Sequence, residues 1–207
     1  MVITGLETLG RGRIKITLDN SLIFVIYKGE VTDLPLGGIK RLEEGMEFTD
    51  EAYEYVMTSI LPKRAKIRAM NILMKNDKTE RQLADKLREG FYPQDIIDSA
   101  IEYVKSYGYV DDRRYAMNYA EYRVSSKSRR QIETALLGKG INKDIISDVL
   151  DELYESSDVD EGEIIRKLAL KKAKGTLPED EKEKQKLFRY LMGKGYSYEQ
   201  IRRALAD

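Results

Sequence analysis

From residue 63 onward, apolar residues recur at helical spacing, and the recurrence is itself repeated. Three pairs, Gly90-Phe91, Gly140-Ile141 and Gly195-Tyr196, each close an amphipathic segment, at intervals of 50 and 55 residues. Ile132, Leu136 and Gly140 stand four apart, as do Leu187, Leu191 and Gly195. Leu83 and Leu87 keep that spacing in the first segment, where Gly90 arrives one residue early. An isoleucine follows each glycine by six residues, at Ile96, Ile146 and Ile201. Capping-box pairs recur as well: Thr79 with Gln82, Ser128 with Gln131, Ser197 with Gln200. These coincident registers predict three tandem three-helix repeats over 62–110, 111–155 and 156–207, with first-repeat helices near 63–75, 79–89 and 94–107. In each repeat the glycine is expected to end the second helix in the left-handed conformation, and the next apolar side chain to seal it by packing back. Such units stacked end to end predict a mainly α, elongated and curved body with one long exposed face.

Ahead of the repeats the period changes from helical to alternating. Ile14, Ile16 and Leu18 alternate with Lys15 and Thr17, Asp19-Asn20 supplies turn chemistry, and Leu22 to Tyr27 is rich in β-branched and aromatic residues, which predicts a hairpin. Val2 to Leu6 is a candidate third strand. Thr49 or Asp50 can cap a helix from Glu51 to Ile60 with Ala52, Tyr53 and Val56 on one face, and Pro62 is expected to break it. Residues 1–61 therefore read as a small strand-rich unit with one helix.

Composition narrows the chemistry. The 207 residues contain neither Cys nor His, which excludes a structural zinc site, a thiol redox centre and a Ser-His-Asp triad. Carboxylate chemistry stays open. Gly5, Gly10 and Gly12 lack the Gly-Lys-Ser or Gly-Lys-Thr of a phosphate loop, and Gly37-Gly38 lacks the dinucleotide fingerprint. Asp111-Asp112 reads as helix-capping chemistry rather than a Mg²⁺ site. The expectation is a non-enzyme without metal or cofactor. The longest apolar run, Leu22 to Tyr27, is too short to span a bilayer, and no signal segment opens the chain, so a cytoplasmic protein with no membrane contact is expected.

The formal charge of zero conceals a gradient. Lys plus Arg against Asp plus Glu count 6 and 10 over residues 1–61, but 10 and 7 over 62–110 and 12 and 10 over 156–207. The acidic N-terminal segment is expected to contribute least to a partner, whereas the basic clusters Lys63 to Arg68, Arg123 to Arg130 and Arg166 to Lys174 can meet phosphates or an acidic protein surface. Tyr103, Tyr107, Tyr109, Tyr115, Tyr119 and Tyr122 have the spacing of inter-repeat packing, with base stacking the other reading.

The stretch Gly108-Tyr109-Val110-Asp111-Asp112-Arg113-Arg114-Tyr115-Ala116 joins a loop to a capped helix start, with Asp111 placed to accept from the first free amides and Asp112 at the positive end of the helix dipole. This junction resembles the signature of the RecX family of recombination regulators. Lys139-Gly140-Ile141 and Lys194-Gly195-Tyr196-Ser197 followed by Ile201 resemble further family elements, so the likeness covers about residues 62–207. Two positions depart from it: the short Leu87 to Gly90 spacing, and Ser126-Lys127-Ser128 where relatives often carry a glycine. The resemblance implies three tandem three-helix repeats and a non-enzymatic regulator that binds the RecA filament on single-stranded DNA, suppressing its ATPase, strand-exchange and co-protease activities. On charge, the candidate contact residues are Arg113, Arg114, Arg123, Lys127, Arg129, Arg130, Lys171, Lys172, Arg202 and Arg203, on a monomer. The alternative is a helical-repeat protein that binds DNA directly, using the doublets Arg113-Arg114, Arg129-Arg130 and Arg202-Arg203.

Overall fold

The computed structural model describes residues 1–156 and 160–206. The chain forms two compact units, Met1–Asp111 and Asp112–Asp207.

Unit 1 begins with an antiparallel sheet of β1 (Ile3–Leu9), β2 (Arg13–Leu18) and β3 (Ile23–Tyr27) in sequential order. Ile16 pairs with Leu6 on one side and Phe24 on the other, and Ile14 with Ile26. The alternation therefore puts Ile16, Leu18, Phe24 and Ile26 on the buried face, as a period of two requires. Phe24 meets Phe48 with ring centroids 5.9 Å apart. Thr49 caps α1 (Asp50–Tyr55), its hydroxyl accepting from the Ala52 amide at 3.2 Å, and Asp50 is already helical.

The break expected at Pro62 does not occur. A π-helical turn over Val56–Ile60 leads directly into α2 (Leu61–Leu73), with Pro62 in its first turn. Inside an α-helix a proline crowds the carbonyl four residues back and removes a donor. The wider turn, in which the Leu61 amide reaches Val56 O, accommodates both and carries the helix through. Ala52, Val56, Leu61, Ala65 and Ala69 then share one core with the sheet and with α3 (Glu80–Arg88) and α4 (Gln94–Ser106). Residues 1–61 and the first repeat thus have a single apolar interior.

Unit 2 holds α5 (Asp112–Arg123), α6 (Arg129–Gly138) and α7 (Lys143–Ser156), followed by α8 (Glu161–Lys172), α9 (Glu181–Gly193) and α10 (Tyr198–Leu205). Its two cores centre on Ala116, Ala120, Ile132, Leu136 and Ile146, and on Ile165, Ala169, Leu187, Leu191 and Ile201. In each repeat the first helix packs on the third: α2 on α4, α5 on α7, α8 on α10. Ala65 and Ala69, Ala116 and Ala120, and Ala169 are fully buried in those first helices, where a small side chain allows close approach.

The helix-ending register is kept, with a substitution in repeat 1. Gly140 and Gly195 have φ of 86° and 91°, but Gly90 does not adopt positive φ; Phe91 does, at 62°. Phe91 is the residue four beyond Leu87, as Gly140 is to Leu136 and Gly195 to Leu191. Its amide reaches Arg88 O at 2.9 Å just as Gly140 reaches Leu137 O and Gly195 reaches Met192 O. The early glycine therefore leaves a phenylalanine at the left-handed position. Phe91 stays exposed, and Tyr92 takes the sealing role that Ile141 and Tyr196 play in the other repeats. Ile96, Ile146 and Ile201 are all buried. Among the capping pairs, Thr79 caps α3 and Ser128 caps α6, but Ser197 caps the third helix of its repeat, α10; the second helix, α9, is capped by Asp180.

Candidate functional site

The basic residues of unit 2 divide into those the fold uses and those it leaves available. Arg113 on α5 pairs with Glu152, and Arg129 at the start of α6 pairs with Asp151 at 2.7 Å, so two neighbouring acids on α7 fasten the other two helices of repeat 2. Hydrogen bonding from Arg129 holds the Asp151 carboxyl below the usual carboxylate range. Arg129 also lies 5.4 Å from the Tyr154 ring centroid. The half-buried Arg123 guanidinium sits 5.6 Å and 5.1 Å from the Tyr119 and Tyr122 rings. Arg202 makes a short-range pair with Glu199 at 3.3 Å, and Lys172 lies 5.2 Å from the Tyr190 ring.

Lys171, Arg130 and Arg203 are exposed without an ion-pair partner among the described residues, and Lys127 is half-buried without one. Arg114 has a partner, so each of the doublets at 113, 129 and 202 contains at least one arginine already engaged. Arg166, within the cluster 166–174, donates to Ala204 O at 2.7 Å and ties α8 to α10.

Ser128, Arg129 and Arg130 meet the Gly195-Tyr196 turn of repeat 3 around a cavity of about 350 Å³. Ser128, 2 % exposed, accepts from the Gln131 amide at 3.2 Å and donates to Lys194 O at 2.8 Å. It therefore caps α6 and joins repeat 2 to repeat 3. The departure at Ser126-Lys127-Ser128 thus leaves the helix start properly capped. Glu133 and Glu161 line the same cavity, so its charge is mixed. Burial, reinforced by Glu161, pushes the Tyr196 hydroxyl up to about 12 and raises that of Tyr154 further.

Of the six tyrosines near the first repeat junction, Tyr103 packs against the core of unit 1, and Tyr115 and Tyr119 against a core of unit 2. Those three pack within the core of their own unit, and Tyr107, Tyr109 and Tyr122, expected to pack between repeats, are 61 %, 49 % and 77 % exposed. Tyr107 stacks on Tyr109 at 5.9 Å with their planes 17° apart, in the turn after α4, where no apolar stripe continues. Asp112, expected as a dipole partner, is the buried first residue of α5, and Asp111 is the exposed residue before it. Among the described residues there is no group of three or more His, Cys, Asp or Glu able to hold a metal ion, and no helix long and apolar enough to cross a membrane.

A small three-stranded sheet followed by three helical triplets, each closed by a left-handed residue after its second helix, defines a tandem three-helix-repeat protein. Family models agree with that division: those for the first, second and third three-helix domains of RecX match residues 65–103, 111–150 and 160–205. The chain belongs to the RecX family of regulatory proteins. The regulatory protein RecX of Caldanaerobacter subterraneus subsp. tengcongensis is 38 % identical over 165 residues, 79 % of this chain and 80 % of its own. That of Clostridium acetobutylicum is 32 % identical over 210 residues, covering 95 % and 90 %. A crystal structure of a regulatory protein RecX superimposes with a TM-score of 0.62 at 25 % identity over 98 % of each chain. The crystal structure of RecX from Lactobacillus salivarius shares the fold, with a TM-score of 0.60 at 24 % identity over 70 % of this chain and 95 % of that one.

Proposed function

We propose that this protein is a cytoplasmic, monomeric and non-enzymatic regulator that binds the RecA filament on single-stranded DNA and inhibits its recombinase, ATPase and co-protease activities. Membership of the RecX family through all three helical domains is the observation that carries this reading. The unpaired cations Lys127, Arg130, Lys171 and Arg203 of unit 2 are its proposed contact residues, helped by Arg114, Arg123 and Lys172. Arg113, Arg129 and Arg202 contribute through the ion pairs they already make. Repeated modest contacts along a polymer add by avidity, so no single residue needs to dominate. Direct reading of duplex DNA by one helix of each repeat fits less well, because a recognition helix needs several free side chains reaching base edges and each doublet holds an engaged arginine. The test is binding to preformed RecA filaments on immobilised single-stranded DNA. Binding should weaken when Arg130 and Arg203 are replaced together by Ala, and should fade with added salt as charge pairing is screened. Unchanged binding by the folded double variant would remove these residues from the contact.

A further inference from the structure

Arg64 and Arg68, of the cluster Lys63 to Arg68, line one wall of a cleft that the charge gradient along the chain does not reveal. Residues 1–61 are acidic in sum, yet in unit 1 the sheet edge and α2 enclose a cavity of about 440 Å³ without a single carboxylate in its lining. Arg64, Arg68 and Asn71 lie at i, i+4 and i+7 on one stripe of α2, and Lys75 continues the stripe in the turn beyond it. Arg13 of β2 and Tyr27 of β3 face them from the sheet, with Tyr92 closing one end.

The fold engages two of these cations, and Arg13 is one of them, its Nε donating to Gly10 O at 3.1 Å. Arg64 pairs with Glu30 at 2.8 Å and lies 3.6 Å from the Tyr27 ring centroid, which fixes the aromatic in the wall. Arg13, Arg68 and Lys75 have no ion-pair partner among the described residues. Arg13, Arg68 and Lys75 gather like charge in one concave site where Glu30, bound to Arg64, is the acid at its margin, and a polyanion relieves their repulsion. The aromatic members narrow the ligand further. Tyr27 is 40 % exposed, and Tyr92 is half-buried with a hydroxyl able to donate. A basic groove with aromatic faces and an amide is the pattern that tracks a phosphate backbone while stacking unpaired bases. A duplex hides its base faces and is too wide for a cavity sized for a small ligand. An acidic peptide has no use for the rings.

We propose that this cleft binds a single strand of nucleic acid, with Arg13, Arg68 and Lys75 on phosphates and Tyr27 and Tyr92 against unpaired bases. The site stands independently of the filament reading, because it lies in unit 1 and requires no recombinase.

The test is a fluorescence-anisotropy titration of the full-length protein with a labelled oligothymidylate alone, repeated across a range of salt. Arg68→Ala with Lys75→Ala alters two exposed side chains, and circular dichroism checks that the fold is kept. The dissociation constant should rise about tenfold, and the slope of log affinity against log salt should shrink by about 1.4, some 0.7 for each phosphate no longer neutralised. Arg68→Glu should weaken binding further, and a duplex of the same length should bind more weakly than the strand. The proposal is overturned if the folded double variant keeps wild-type affinity and slope. Equal binding of duplex and strand would also overturn it. So would an oligonucleotide affinity indifferent to these residues while binding of a polyglutamate peptide depends on them, since that result makes the cleft a protein-docking site.

Discussion

Replacing Gly195 by alanine tests the contact between the second and third repeats. At φ 91° an L-residue is strained, by about 1–2 kcal/mol. A Cβ there would also lie 2.5 Å from Ser128 Oγ, inside any real Cβ contact, and the serine must give way. Ser128 then loses its bond to Lys194 O, a net contribution of about 0.5–1.5 kcal/mol, and some of its capping of α6, worth about 0.5–2 kcal/mol in full. The expected cost of Gly195→Ala is about 2–4 kcal/mol, read from urea denaturation of the full chain. Gly175 is the control: its φ of 109° imposes backbone strain, but nothing lies within 4 Å of a Cβ, so Gly175→Ala should cost only about 1–2 kcal/mol. Ser128→Ala removes the obstructing hydroxyl, and in that background Gly195→Ala should fall to the backbone cost alone, a coupling of about 1–2 kcal/mol. Distant, independent sites add to within about 0.3–0.5 kcal/mol. A coupling no larger than that would refute the idea that Ser128 and Gly195 share one steric and hydrogen-bonding contact.

The Tyr196 hydroxyl has no hydrogen-bond partner among the described residues, so Tyr196→Phe should leave stability unchanged or raise it. The native pKa of about 12 exceeds the ordinary 10.0, so the unfolded chain ionises first as pH rises. Stability should be fully present below pH 10 and fall by up to about 3 kcal/mol as pH rises to about 12, and Tyr196→Phe should flatten that fall in alkaline denaturation curves. Asp111→Ala should lower stability by about 0.5–2 kcal/mol by removing a helix cap, while inhibition of RecA per folded molecule stays intact; a variant of unchanged stability without inhibition would make Asp111 a contact residue. Arg113→Ala with Arg129→Ala should lower the melting temperature modestly, each exposed pair being worth about 0–1 kcal/mol, whereas Arg130→Ala with Arg203→Ala should leave it unchanged and reduce inhibition.

Much of this architecture was readable from periodicity, because three-helix repeats expose their registers at fixed offsets. Leu83, Leu87, Ile132, Leu136, Leu187 and Leu191 are all buried where the spacing placed them. Ala116 and Ala120 are buried on the face that their spacing gives them, whereas Ala65 and Ala69 are less legible because alanine also reads as a neutral helix former. Two local readings failed where tertiary packing overrode a residue's usual preference. Pro62 is carried inside a helix by the π turn before it, and Phe91 holds the left-handed position that the early Gly90 vacates. The site was less legible. Charge counting identifies basic residues but not their partners, and Glu152 and Asp151, far along the chain, take up Arg113 and Arg129. It likewise hid the cleft of unit 1, since Arg13, Arg68 and Lys75 converge only after β2 and α2 pack together. That packing also changes the meaning of an N-terminal truncation. Removing residues 1–57 takes Ile3, Ile16, Leu18, Phe24 and Ile26 out of a core shared with Ala65 and Leu87, so a drop in activity would report loss of that core together with loss of Arg13 and Tyr27.

The most direct test of the regulatory reading is the rate of ATP hydrolysis by RecA from the same source on single-stranded DNA, titrated with this protein. Inhibition at amounts well below one molecule per RecA protomer, weakened by salt and by loss of Arg130 and Arg203, is the predicted result. Inhibition that begins only when the protein saturates the DNA, or none at any ratio, would contradict filament binding as the mechanism.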